Sequence, residues 1–444
     1  MQKVLIANRG EIARRIIRTC NEQGIATVAV HSEADKDMPF VREADEAVHI
    51  GPPPVPQSYL NIEAIIQAAK STGADAIHPG YGLLSENANF ARRCIEEGLT
   101  FIGPSPEVIA SMGDKVTARQ IMRDAGVPIV PGFEGQMDSV DEAIARAQEI
   151  GYPVMLKASA GGGGIGMQVC NSDDELRQAF QSAKGRAKAY FGNDTMFLEK
   201  FVQNPHHIEV QIVADTHGNT FHLLERECSI QRRHQKVLEE SPSPFLDAAT
   251  RESICLAAVN AARAVNYTGV GTVEFIMDEN KTFYFLEMNT RLQVEHPVTE
   301  EMTGLDLVRM QLKIAQGKEL CFKQEDVKAL RHAIEVRIYA EDPVTFLPSP
   351  GKIEEYQPPV MEHVRIDDGV EAGTLVTPFY DPMIAKVIVS GQDRAEAVQR
   401  ASEALKAFHI SGIKTNLTFL QEVLADQDFQ AGLYTTQFVQ NKKK

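Results

Sequence analysis

The chain has 444 residues, 43% of them hydrophobic and 24% charged, an ordinary globular composition in a length that suits about two to four domains. Against 45 Lys and Arg stand 61 Asp and Glu, and the formal charge of −16 excludes nucleic acid as the main partner, because phosphate binding needs a basic surface. A small anion held by a few local cations is not excluded.

The N-terminal third alternates strand and helix signals. KVLIAN (Lys3–Asn8) is a short apolar run, followed by the amphipathic stretch EIARRIIRTCNEQG. TVAVH (Thr27–His31), the helix NIEAIIQAAKSTG, DAIHPG (Asp75–Gly80) and TFIGPS (Thr100–Ser105) repeat the unit. Such alternation predicts a doubly wound parallel sheet, and ligands of such sheets sit at the carboxyl ends of the strands, here at the loops ANRGE and HPGYGLLSEN. The first turn lacks G-x-G-x-x-G, which argues against a dinucleotide site. From Gly113 the pattern changes to a helix (GDKVTARQIMRDAG), a Pro-bounded connection (Val127–Gly132) and a strand, YPVMLKA. A glycine loop and another helix follow, and MFLEKFV (Met196–Val202) reads as an edge or hinge strand. HIEVQIVAD, NTFHLLERE, GVGTVEFIM and TFYFLEMN then read as antiparallel strands. After about Leu330 a last block opens on HAIEVRIYAEDP and closes on a helix near AEAVQRASEALKAF.

Six scattered cysteines without a C-x-x-C pair suit reduced thiols better than zinc or disulfides. No apolar stretch approaches the ~18–20 residues of a membrane span, and the N-terminus lacks a signal-peptide layout. A cytoplasmic protein is expected.

Four groups of residues could carry chemistry. In ASAGGGGIGM, five of the six residues from Gly161 to Gly166 are glycine, and such a loop lets backbone N–H groups approach phosphate oxygens. It is not a Walker A loop, and Lys157 just before it would present a compact charge to a phosphate. Next, GTVEFIMDENKTFYFLEMN reads as a hairpin; if Met277 pairs with Thr282, Glu274 and Glu287 are diagonal neighbours roughly 7–8 Å apart at Cβ, with Asn289 on the same face. Two carboxylates and an amide oxygen are hard ligands suited to Mg²⁺, and two ions ~3.5–4 Å apart could share them. Third, RLQVEHP, if extended, puts Arg291, Gln293 and Glu295 on one face, where Arg can hold a carboxylate-shaped anion such as bicarbonate and Glu can act as a general base. Fourth, QRRHQKVLEE offers His234 and Lys236 on matching parity as an anion-facing loop.

These motifs, in order along essentially the whole chain, resemble the biotin carboxylases of the ATP-grasp superfamily. The resemblance runs from IANRGEIA through HPGYGLLSEN, MGDK, KASAGGGGIGM, EKFV, ERECSIQRRHQK, EFIM and EMNTRLQVEHPVTE to RIYAEDP, FLPSPGK and GIKTN. It implies an α/β and α+β protein with a doubly wound pre-ATP-grasp domain at 1–113 and an ATP-grasp core at 114–330. A mobile glycine-loop lid would occupy about 131–203, and a C-terminal biotin carboxylase domain 331–444. By motif position, Lys115, Lys157, Gly163, Gly164, Glu199, Lys200, Phe201, Val202, His207, Gln231 and His234 would bind ATP together with Glu274 and Glu287. Glu274, Glu287 and Asn289 would hold two Mg²⁺ or Mn²⁺. Lys236, Arg291, Gln293 and Val294 would seat bicarbonate, Glu295 would be its base, and Arg337 would stabilise the biotin enolate.

The implied reaction carboxylates biotin on a separate carrier protein through carboxyphosphate, as the first half-reaction of an acetyl-CoA or acyl-CoA carboxylase. Without an A-M-K-M attachment motif in the sequence, the biotin carboxyl carrier and carboxyltransferase are expected on other chains, and the resemblance implies a homodimer. Ile165 stands where the family commonly has Arg, and MEHVRIDDGVEAGTLVTPFYDPMIAK is closer to acyl-CoA and pyruvate carboxylase relatives. The alternatives are another ATP-grasp ligase of carbamoyl-phosphate type, or a non-catalytic ATP-binding subunit; RLQVEHP, QRRHQK and Arg337 favour the carboxylase.

Overall fold

The computed structural model describes residues 1–133, 137, 139–158, 167–191, 196–233 and 235–442. The chain divides into two compact units, a larger one of Met1–Val127, His206–Phe275 and Glu287–Lys444 and a smaller one of Pro128–Pro205 and Ile276–Leu286.

The larger unit begins with the expected parallel sheet. Five strands lie in the spatial order Glu46–Gly51, Ala26–Ser32, Lys3–Ile6, Ala76–His78 and Thr100–Phe101, and Lys3 faces Ala26 while Val4 faces Ala76. Leu5, Val28, Val30 and Ile77 bury one face against Ile65 and Phe90 of the intervening helices. The helix Ile62–Thr72 shows why the chain breaks where it does. The Asn61 side chain caps its start by accepting the Ala64 N–H at 3.1 Å, and Gly73 ends it in the left-handed region at φ 68°, a conformation that costs glycine nothing.

A second, eight-stranded sheet has the order Phe283–Asn289, Gly269–Met277, His206–Ala214, Thr220–Arg232, Gln235–Ser241, His332–Tyr339, Met383–Gly391 and Val364–Asp368. The four strands expected after the lid are all present. The sheet does not stop with them, because Leu238 pairs antiparallel with Val336 and Val336 with Val387. The last sequence block therefore completes the sheet of the middle one. Ile230, Leu238, Val336 and Val387 belong to one apolar core with Ile12 and Ile16 of the helix Gly10–Glu22.

The smaller unit holds a four-stranded antiparallel sheet in the order Gly132–Phe133, Met196–Lys200, Val154–Ala158 and Met167–Cys170. Met196–Lys200 is thus interior, not the edge strand expected, because Met196 and Leu198 are buried with Leu156, Ile144 and Phe180 beneath the helices Val140–Ile150 and Asp173–Phe191. All six cysteines are free, and only Cys321 is exposed. Among the described residues no helix is long and apolar enough to cross a membrane.

Candidate active site

One face of the eight-stranded sheet is polar and yet buried. On His206–Ala214, His207, Glu209 and Gln211 alternate with the buried Ile208, Val210 and Ile212, so one face of the strand is charged and the other apolar. Glu209 faces Arg226 across the ladder, and the pair is joined by a bond of 2.5 Å. Arg226 is fully buried and also donates to Gln211 Oε1 at 2.7 Å and Thr299 Oγ1 at 2.8 Å. A buried guanidinium is tolerable only with its donors satisfied in this way.

Lys236, at the start of Gln235–Ser241, is the centre of the cluster. Its Nζ donates to Glu209 at 2.5 Å, Glu274 at 3.1 Å and Glu295 at 2.7 Å. Burial would lower the pKa of this ammonium, but Glu209, Glu274 and Glu295 outweigh it and hold the pKa well above the ordinary lysine value. Glu295 in turn accepts from Arg337 Nη2 at 2.9 Å. Burial alone would raise the Glu295 pKa; Lys236, Arg337 and Arg226 reverse that and hold it well below the usual carboxylate range. Glu295 is therefore an ionised carboxylate between two cations, 1% exposed.

The segment carrying Glu295 is not the extended run expected from RLQVEHP. It turns at Val294–Glu295 and enters the helix His296–Thr303, with Pro297 in the first turn, where a missing N–H is harmless and the fixed φ is already helical. Glu295 occupies the N-cap but makes no side-chain cap, so its carboxylate is left to the two cations. Arg291 and Gln293 do come together, with Arg291 Nη1 donating to Gln293 Oε1 at 3.1 Å. The Val294 carbonyl accepts from Lys386 Nζ at 2.8 Å.

The acidic pair is reached by a different register from the one expected. At the hairpin, Asp278 N–H bonds the Thr282 carbonyl at 2.9 Å, Lys281 N–H bonds the Asp278 carbonyl at 3.0 Å, and Lys281 has φ 64°, the signature of a three-residue turn with an added bulge residue. That slip of one residue would by itself put Glu274 and Glu287 on opposite faces. The alternation breaks again at Leu286 and Glu287, both exposed, and beyond the break Asn289 Nδ2 donates to Glu274 Oε1 at 2.9 Å. Gln293 Nε2 joins the same oxygen at 3.1 Å, and His207 Nε2 lies 2.8 Å from Oε2. Gln231 Nε2 bonds His207 Nδ1 at 3.0 Å.

The donors fit a hard divalent cation. Glu287 keeps a solvent-accessible side chain, yet partial desolvation raises its pKa and the Glu274 charge raises it further, with Lys115 as a partial offset. Burial would raise Glu274 as well, but Lys236 and His207 outweigh it and hold Glu274 well below the usual carboxylate range. Asn289 Oδ1 accepts from Arg291 Nη2 at 2.7 Å and has a second lone pair left. His207, Glu209 and Glu274 also present donor atoms within 4.8 Å of one another, and Glu274 is common to this set and the one with Glu287 and Asn289.

Lys236, Glu274, Asn289, Arg291, Gln293, Glu295, Arg337, His207 and Gln231 thus form one bonded network within the larger unit. Lys115, exposed, opens the helix Lys115–Asp124 of the same unit. In the smaller unit Lys157 is ion-paired with Glu199. Lys200 Nζ donates to the Gly151 and Tyr152 carbonyls at 2.9 and 2.8 Å, and Phe201 N–H to the Pro153 carbonyl at 2.9 Å. The side chain of Lys200 is therefore engaged with its own unit, and Val202 is partly buried beyond it. Gly163, Gly164, Ile165 and His234 lie outside the described residues. No motif in the sequence singles out Glu209, Arg226, Glu239, Lys386 or Glu86, whose Oε2 accepts from Arg291 Nε at 2.7 Å. Alternation in HIEVQIVAD carries the signal for Glu209, but alternation does not tell a buried polar face from a solvated one.

An acidic set beside a buried Lys–Glu–Arg cluster, on a sheet preceded by a doubly wound domain, is the arrangement of an ATP-grasp enzyme. Three family descriptions match in series: "Biotin carboxylase, N-terminal domain" at 1–109, "Carbamoyl-phosphate synthase L chain, ATP binding domain" at 114–323 and "Biotin carboxylase C-terminal domain" at 335–441. The biotin carboxylase of Halalkalibacterium halodurans is 59% identical over 100% of this chain and 98% of its own. A biotin carboxylase complex with β,γ-ATP from Campylobacter jejuni is 48% identical, with a TM-score of 0.90 over 99% of this chain and 98% of that one. A bicarbonate-bound biotin carboxylase domain of a thermophilic 2-oxoglutarate carboxylase is 46% identical, with a TM-score of 0.95 over 100% and 98%. The chain belongs to the biotin carboxylase family.

Proposed function

We propose that the protein carboxylates biotin with ATP and bicarbonate, the biotin being held on a separate carrier protein, as the first half-reaction of an acetyl-CoA or other acyl-CoA carboxylase. The observation that carries the mechanism is the ionised, buried Glu295 bonded to Lys236 at 2.7 Å and to Arg337 at 2.9 Å.

Bicarbonate enters against Lys236, Arg291, Gln293 and the Val294 backbone. Lys236 is then shared with the new anion, so its hold on Glu295 weakens and the proton affinity of the carboxylate rises. Glu295 takes the bicarbonate proton, and the oxygen so freed attacks the γ-phosphate of ATP, displacing ADP and giving carboxyphosphate. Carboxyphosphate breaks down to CO₂ and phosphate; that phosphate takes the N1′ proton of biotin, and the enolate captures the CO₂. Lys115, Lys157, Gly163, Gly164, Glu199, Lys200, Phe201, Val202, His207, Gln231 and His234 bind the nucleotide. Glu274, Glu287 and Asn289 would hold divalent ions, which when bound neutralise phosphate charge. Arg337 would meet the oxygen of the biotin ureido group, where negative charge develops as N1′ is deprotonated. The protein is further assigned to the cytoplasm as a homodimer that works with a carrier and a carboxyltransferase on other chains, and co-purification with a biotinylated partner tests that assignment.

The experiment for the reaction is ATP hydrolysis with bicarbonate, with and without free biotin. Acceleration by biotin is the expected result; indifference to biotin together with activity on an amine would assign the chain to another ATP-grasp chemistry.

A further inference from the structure

Two carboxyls behind Arg337 have no part in the reaction as described. Glu239 and Glu335 are directly opposed across the antiparallel pair of Gln235–Ser241 and His332–Tyr339, and both are 0% exposed. Directly opposed residues share a face with Cβ atoms about 4.5–5.5 Å apart, and Arg337, two residues beyond Glu335, shares that face too. Among the described residues neither the oxygens of Glu335 nor those of Glu239 make a hydrogen bond, and Glu239 is held by an ion pair alone. Glu239 Oε1 lies 2.5 Å from Arg337 Nη2, the same nitrogen that bonds Glu295 Oε2 at 2.9 Å. The guanidinium therefore stands between two acids.

Two adjacent buried carboxyls cannot both be ionised. Burial pushes the Glu335 pKa up, Lys386 offsets that only in part and the Glu239 charge adds to it, leaving the pKa well above the carboxylate range. The proton of the pair therefore stays on Glu335. Burial also pushes Glu239 up, to about 7, against the pull of Arg337 and Lys236 and with a further push from Glu295. Among the described residues Arg337, Glu295, Lys236, Glu335, Cys228 and Tyr339 are the charged or titratable groups that act on Glu239.

We infer that Glu239 is a positioning residue for Arg337: it holds the guanidinium in place during the step in which Glu295, the other anion on the same nitrogen, is neutralised by the proton it takes from bicarbonate. A charge-assisted hydrogen bond is roughly twice as strong as a neutral one, so protonation of Glu295 loosens Arg337 when the biotin ureido oxygen needs it. Above its value of about 7, Glu239 keeps its charge through that step. The inference rests on the roles proposed above for Glu295 and Arg337.

The test is Glu239→Gln in the full chain, with Arg337→Lys alongside, assayed for biotin-dependent turnover with bicarbonate and ATP from about pH 6 to pH 9. Misplacing a reacting group by ~1 Å costs up to about 100-fold, so kcat of Glu239→Gln should fall by about 10–100-fold with KM for ATP unchanged. Glu239 is ionised above its value of about 7 and neutral below it. The wild-type rate should therefore drop toward acid with an inflexion there, and Glu239→Gln, which mimics the neutral form, should lack that inflexion. If Arg337→Lys keeps full biotin-dependent turnover, the role of Arg337 is wrong and the inference falls with it. If Arg337→Lys is impaired while Glu239→Gln keeps the wild-type rate or the inflexion, the Glu239 inference alone is overturned. Loss of nucleotide-analogue binding in Glu239→Gln also overturns it, because Glu239 would then support the whole chamber and not Arg337.

Discussion

Glu295→Gln separates chemistry from folding most cleanly. The carboxylate accepts from Lys236 at 2.7 Å and from Arg337 at 2.9 Å, and glutamine can accept only one of those bonds, because its NH₂ must face the other cation. One hydrogen bond to a charged group is worth about 1.5–3 kcal/mol. Lys236 keeps Glu209 and Glu274, and Arg337 keeps Glu239, so the stability loss should stay at about that single-bond figure and not reach the ~3–5 kcal/mol of a fully orphaned buried charge. Loss of a general base costs about 10²–10⁴ in rate, which at 1.36 kcal/mol per decade is about 2.7–5.4 kcal/mol of barrier. Phosphate release in the presence of bicarbonate and free biotin reads the rate, and titration with a fluorescent ATP analogue reads binding. The expected result is nucleotide binding close to wild type with turnover nearly abolished. A variant that keeps more than about a tenth of wild-type turnover would refute Glu295 as the base.

Two further variants test the buried charges as structure. Arg226→Met strips Glu209 of its bond at 2.5 Å and leaves Gln211 and Thr299 without their donor. Glu209 keeps Lys236, so denaturant unfolding should show a loss of at least about 1.5–3 kcal/mol, the worth of one hydrogen bond to a charged group, and an unchanged midpoint would contradict the reading of Arg226 as the cluster's counter-charge. Glu335→Gln should stabilise the chain increasingly as pH rises. Burial raises the pKa of Glu335 in the folded state, whereas the unfolded chain releases that proton near the ordinary value of about 4.3. The folded state binds the extra proton, so wild-type stability falls as pH climbs from there to the raised value, by up to about 1.4 kcal/mol per unit. The melting-temperature gap between variant and wild type should widen between about pH 5 and pH 8, and a gap constant with pH would show Glu335 to be ionised.

Local chemistry explains what the sequence made legible. Apolar runs such as Lys3–Ile6 and Ala26–Ser32 are buried on both faces, as parallel strands are, and announce themselves. Glu46–Gly51 is not legible because it is the edge strand of that sheet and half exposed, so it carries no long apolar run. The pairing of Leu238 with Val336 joins segments far apart in the chain, and no local period encodes such a partner. At the site, residue types were readable and register was not: Lys281 adds a bulge residue at the hairpin, and a second break at Leu286–Glu287 restores the parity that puts Asn289 on Glu274. Pro297 did signal a helix start, which the strand reading of RLQVEHP overlooked. The polar alternation of His207, Glu209 and Gln211 is visible in the sequence, but its burial depends on packing such as that of Thr299, on the helix His296–Thr303, against Arg226.

Lys236 joins the two jobs of the site, and Lys236→Arg is the substitution that asks whether charge alone is enough. One ammonium bonds Glu274, of the proposed metal set, and Glu295, the proposed base, while Glu209 anchors it from below. Three donors disposed around a point match three carboxylates disposed around it; a guanidinium carries its donors in one planar fork on a longer stem. Arginine can pair well with one or two of these acids, and the third is left without its cation in a site 100-fold sensitive, on the order of magnitude, to ~1 Å displacements. The charge count of the cluster is conserved, so thermal unfolding should change little, whereas bicarbonate-dependent turnover should fall by about 10²-fold or more. Near-normal turnover in Lys236→Arg would mean that bicarbonate and metal-bound phosphate need only positive potential here. A large fall with intact folding would mean that one atom's position couples the acid that holds the nucleotide's metal to the acid that activates the one-carbon substrate.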